Sequence, residues 1–138
     1  MTQLDALQTA LAAEHAAVFV YGALGGQTSQ SANPTLYAEI TGAYLAHQHR
    51  RDELVAVITD AGREPVPAEP GYALPPDLST AEAVAERALR LERSCAATYA
   101  YVVGSTTDGH RRWAIGALLD AAVRAVGFGG DPEPLPGL

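Results

Sequence analysis

Apolar residues recur every three to four positions in four separate stretches of the chain, and no run alternates with period two, so the pattern predicts four α-helices and no sheet. The first stretch, from about Thr2 to Leu24, carries Leu4, Leu7, Leu11, Glu14, Val18 and Tyr21 on one stripe. It is expected to stop at Gly25 and Gly26, where left-handed backbone costs little. The second opens with Asn33 as N-cap and Pro34 in the first helical position, ends near Gly62, and lines up Ile40, Tyr44, His47, Arg51, Leu54 and Ile58. The third begins at "STAE", read as a capping box between Ser79 and Glu82, and runs to about Val103 with Val84, Ala88, Glu92, Cys95, Tyr99 and Val102 in register. The fourth starts at Asp108 as N-cap and reaches about Val126. It offers two candidate faces, one with Trp113, Gly116, Ala117, Asp120, Val123 and Arg124, the other with Ile115, Leu118, Ala122 and Val126.

The links fix a topology. Those joining helices one to two and three to four are short, as in antiparallel helix hairpins. The link between the hairpins, "GREPVPAEPGYALPPDLS", is Pro-rich. Its roughly 17 residues in extended form span ~50 Å, against ~40 Å for a helix of about 27 residues. It is long enough to run from one end of the bundle to the other, leaving helices two and three parallel in the one-crossover, ferritin-like arrangement; an all-antiparallel bundle with a decorated loop is the alternative. Residues 1–128 form the predicted bundle, and 129–138 a Gly- and Pro-rich, non-helical tail expected to be mobile.

Every helix places an ionisable residue at mid-bundle: Glu14, His47 with Arg51, Glu92, and Asp120 with Arg124. Buried charges must be paired, hydrogen-bonded, metal-bound or neutralised. Two schemes compete. In di-iron and di-manganese bundles, two helices give a Glu each and two give Glu-x-x-His. Glu14 and Glu92 fit that set, but helix two has Tyr44 where the second Glu belongs, and helix four has Asp120 and Val123. Arg51 and Arg124 add fixed positive charge that repels a divalent ion. The favoured scheme is therefore an internal ion-pair network with neither metal nor cofactor; the rival holds one iron or manganese ion with Glu14, His47, Glu92 and Asp120. A third possibility is a small-molecule pocket between the helices, bordered by His15, Tyr21, Tyr44 and Tyr99. His15, at the edge of its stripe, reads first as a half-buried histidine bonded to a neighbour, and His49 as a surface residue.

Charge and composition narrow the function further. A net charge of −7 with only nine basic residues argues against nucleic acid and anionic membranes. The one cysteine, Cys95, cannot make an internal disulfide and reads as core packing in a reducing compartment. The first eleven residues lack a secretory pattern, and no stretch has the apolar length of a membrane helix, so the cytoplasm is the expected location. No Walker loop, dinucleotide-binding glycine motif, His-Glu-x-x-His or nucleophile elbow occurs, and no catalytic residue is assigned.

"EHAAVFVYG" in helix one, "HQHRRDEL" in helix two, "EPGYALP" in the crossover and the "LE" of helix three resemble a family of Ala-rich actinobacterial proteins, a ferritin-like domain of unknown function. The resemblance extends from about Leu4 to Phe128 and is loosest in helix four. It implies a ferritin-like four-helix bundle assembled as a homodimer, and carries no established activity. The expectation is a binding or structural protein rather than an enzyme.

Overall fold

The computed structural model describes residues 2–138. Among them are four α-helices and no strand: α1 (Gln3–Gly26), α2 (Pro34–Asp60), α3 (Ala81–Ser105) and α4 (Asp108–Gly127). None is long and apolar enough to cross a membrane.

The helix ends obey local chemistry that differs in places from the expected signals. Thr2 and Asp5 form a reciprocal capping box at the start of α1, and the helix continues through Gly25 and Gly26 to a C-cap at Gln27. Two glycines cost α1 about 2 kcal/mol relative to alanine, which is too little to end a helix already held by packing. Pro34 opens α2 as expected, although the Asn33 side chain makes no capping bond. At its other end Gly62, at φ 83°, lets Gly62 N donate to Thr59 O and Arg63 N to Ile58 O, the paired bonds of a Schellman turn. The N-cap of α3 is Thr80, which accepts from Ala83 N at 3.1 Å, one residue beyond the expected Ser79. Ser79 is drawn away by Asp77, to which its hydroxyl donates at 2.6 Å. Asp108 is the first residue of α4 and Thr107 its cap.

Side-chain bonds between ends establish the topology. Gln3 of α1 exchanges hydrogen bonds with Thr107 before α4, and Gln8 donates to the Glu64 carbonyl just beyond α2. The start of α1, the end of α2 and the α3–α4 turn therefore meet at one end of the bundle. At the other end Gly25 faces Ile40, and Tyr21 lies 6.2 Å from Phe128. Helices α2 and α3 thus run parallel, and the crossover climbs the length of α1. Val66 N donates to Gln8 Oε1 at 2.8 Å, Tyr72 packs on Phe19, and Leu74 and Pro75 lie beside Ala23 and Gly26. The arrangement is a four-helix bundle with one end-to-end crossover, not the all-antiparallel alternative.

The tail docks along α3. Gly137, at φ 82°, lies so close to the Ala96 carbonyl that a Cβ there would collide with it, and Arg93 pairs with Glu133 at 3.2 Å.

Two apolar clusters fill the core. One gathers Val20, Tyr21, Leu24, Ile40, Val84 and Phe128; the other gathers Leu7, Leu11, Leu54, Ile58 and Val102. Each such side chain contributes about 1.5–3 kcal/mol through burial. The core face of α4 is neither of the two expected: it consists of Ala114, Ala117, Ala121 and Ala125, whose small side chains let α4 lie close on α3. Val123, a member of the first candidate face, is 72% exposed. A polar layer separates the two clusters.

Candidate functional site

That layer is built by helical spacing. Glu14 and Tyr21 stand two turns apart on α1, His47 and Arg50 one turn apart on α2, Glu92 and Tyr99 two turns apart on α3, and Asp120 and Arg124 one turn apart on α4. Glu14, His47 and Glu92 have no exposed surface at all.

Hydrogen bonds join these side chains into one continuous chain. His47 Nδ1 lies 2.5 Å from Glu14 Oε2, and His47 Nε2 lies 2.9 Å from Glu92 Oε2. Since a carboxylate only accepts, both ring nitrogens donate and the imidazole carries two protons. Tyr99 Oη donates to Glu14 Oε1, and Tyr21 Oη donates to Glu92 Oε2. Arg50 then links the centre to α4, donating from Nη1 to Tyr99 Oη at 3.2 Å and from Nη2 to Asp120 Oδ2. Arg124 Nε donates to the same Asp120 oxygen at 2.8 Å. Three carboxylates face three cations, and among the described residues one buried acceptor, Glu92 Oε1, has no partner.

Electrostatics agree with this protonation. Burial opposes charge on His47, but hydrogen bonds to Glu14 and Glu92 and the attraction of both carboxylates outweigh it and push the pKa up to about 9. Burial also works against ionised Asp120, yet Arg124 and Arg50 hold its pKa below the usual value. Burial, with Glu92 beside Tyr21 and Glu14 beside Tyr99, raises both phenols, so they remain neutral donors. The Cys95 thiol is fully buried and raised by that burial, which leaves it unreactive. Tyr21 stacks on His47 with ring centres 5.4 Å apart, and the Arg50 guanidinium lies 5.5 Å from the centre of the Tyr99 ring.

Several expected members sit elsewhere. Arg51 is not part of the network: it lies at the surface and pairs with its neighbour Asp52 at 3.0 Å. Its place belongs to Arg50, which the helical wheel passed over. A wheel centred on His47 sets positions 50 and 51 on opposite flanks, and the flank used is the one facing Asp120. Asp120 and Arg124 do join, from the edge of the layer, with side chains 35% and 25% exposed. Tyr21 and Tyr99 are buried network donors, and Tyr44 is partly buried against the core. His15 bonds the Val66 carbonyl through Nε2 at 2.9 Å, pinning the crossover to α1.

These residues do not suit a metal. His47 is protonated and committed on both nitrogens, and Asp120 is held between two guanidinium groups. Tyr44 and Val123 replace the remaining ligands. Among the described residues, no three His, Cys, Asp or Glu are grouped to hold an ion. Glu92 Oε1 supplies one open oxygen, short of the three or more protein ligands that such sites use.

A family model described as a domain of unknown function, DUF4439, matches residues 6–138. The chain belongs to the DUF4439 family. A solved structure agrees: the crystal structure of a conserved hypothetical protein, rv2844, from Mycobacterium tuberculosis is similar to this DUF4439 chain at 31% identity and a TM-score of 0.81. The match covers 91% of this chain and 87% of that one. No curated protein matches the chain.

Proposed function

We propose that this DUF4439 protein is a ferritin-like bundle in which a closed ion-pair network stands where metal-bearing bundles hold their ions, and that it works as a binding or structural protein. The observation that carries this reading is His47, doubly protonated between Glu14 and Glu92 with no exposed surface. A centre filled by the protein's own balanced charges leaves a single open oxygen, Glu92 Oε1, which is too few for a metal ion. It serves to fix the register of four helices, since any sliding breaks several buried bonds at once. The single buried thiol suits a reducing compartment, and the cytoplasm is the location proposed for it. The apolar residues exposed on α4 are assigned to a homodimer contact.

The rival reading, one iron or manganese ion at Glu14, His47, Glu92 and Asp120, draws on the unpartnered Glu92 Oε1. Elemental analysis of tag-free protein, before and after anaerobic incubation with Fe(II), Mn(II) or Zn(II), separates the two. The expected result is no retained metal; stoichiometric uptake abolished by Glu92→Ala would overturn the network reading.

A further inference from the structure

The crossover does not lie flush on the bundle. Between it and the seam of α1 with α3 is a cavity of about 610 Å³ that opens to solvent, within the size range of small-molecule sites. Val20 and Leu91 form its apolar floor, Tyr72 and Leu74 belong to the crossover side, and Arg87 and Arg90 complete the lining from α3.

Two arginines without carboxylate partners meet at this one cavity. The chain has nine arginines, no lysine and sixteen acids. Arg50, Arg51, Arg63, Arg93 and Arg124 all have carboxylate partners. Among the described residues, Arg87, Arg90 and Arg112 have no ion-pair or hydrogen-bond partner, and of these Arg87 and Arg90 line the same cavity. They stand one turn apart, where like charges repel. Burial and the neighbouring Arg90 both lower the pKa of Arg87, so its charge lacks a counter-charge. Paired guanidiniums present the forked donors that suit carboxylate or phosphate oxygens.

The geometry points to a binding site for an amphipathic anion, a carboxylate or phosphate monoester with an apolar body, whose head lies on Arg87 and Arg90 and whose body lies between Val20, Leu91 and the crossover. This groove is separate from the core network, and its occupancy does not depend on how that network is read.

Isothermal titration of the full-length protein with octanoate, octyl phosphate, inorganic phosphate and octanol tests it. One octanoate or octyl phosphate is expected per chain, and whichever binds more tightly names the head group. Inorganic phosphate and octanol should each bind at least ten-fold more weakly. The double variant Arg87→Gln/Arg90→Gln, with its folding checked by circular dichroism, should weaken the amphiphile at least ten-fold. Arg112→Gln, which removes an arginine of α4 outside the groove, should leave binding unchanged. The site is refuted if neither amphiphile binds, if octanol or phosphate binds as well, or if the two arginine variants behave alike.

Discussion

Glu14 Oε2 and His47 Nδ1 lie 2.5 Å apart where neither side chain has any exposed surface. A pair so placed is costly to disturb, because its surviving member stays buried without its counter-charge. Changing Glu14 to Gln keeps the shape but removes the charge. The expected loss is about 3 kcal/mol of stability, seen as a lower thermal midpoint by circular dichroism. An unchanged midpoint would sink the network reading.

His47 makes stability depend on pH with a definite sign. Its folded pKa of about 9 lies above the ordinary histidine value, near 6.5 in an unfolded chain. The folded state therefore binds the proton more tightly. The stabilisation is fully present below pH ~6.5 and fades as the pH rises through about 9. Between pH 6.5 and 8.5, urea unfolding should lose ~2 kcal/mol. In His47→Gln that slope should vanish; a slope of the same size in the variant would assign it to another group.

How much of this was legible in the sequence depends on what each signal measures. Periodicity located all four helices, and the length of the Pro-rich link allowed parallel α2 and α3, while the bonds at the bundle ends decided against the all-antiparallel alternative. The inner stripes of α1 and α3 were readable because leucines, valines and tyrosines flank Glu14 and Glu92 and leave one apolar face. Two features escaped for physical reasons. In α4 the inner face is alanine, which carries little hydrophobic signal, while Ile115, Leu119 and Val123 face outward and carry much. In α2 two adjacent arginines flank the same stripe, and only a residue on another helix, Asp120, decides between them. Unpaired Arg87 and Arg90 had no sequence signal either, since pairing is a property of the folded surface.

That decision between neighbours is directly measurable. Arg50→Met removes the link between Tyr99 and Asp120 from a residue only 8% exposed, and should cost about 2–3 kcal/mol. Arg51→Met breaks only an exposed pair with Asp52, and should fall within about 0.5 kcal/mol of wild type. Equal losses from the two variants would contradict the assignment of Arg50 to the network.

Docking of the tail rests on Gly137, whose left-handed backbone and missing side chain let residues 131–138 close on the Ala96 turn of α3. Gly137→Ala supplies a Cβ where there is no room, and strains the backbone as well. The expected outcome is faster hydrogen exchange and earlier proteolytic cleavage in the tail, with the helices unaffected. Protection equal to wild type would show that the tail is held by other contacts.

On α4 the outward apolar residues follow one helical stripe: Ile115 is 41% exposed, Leu119 60%, Val123 72% and Val126 44%. Steps of four, four and three residues set them one above another, forming a continuous ridge rather than scattered exposures. An apolar ridge of this length favours burial against a like surface, where a two-fold axis would bring ridge against ridge. Size-exclusion chromatography with light scattering at micromolar concentration should give twice the chain mass. Leu119→Glu/Val123→Glu adds charge to the ridge without touching the alanine face that packs on α3, so it should halve that mass while leaving the helical content intact. A wild-type protein that elutes as a monomer would remove the homodimer from the proposed function and leave the core network and the arginine groove as they stand.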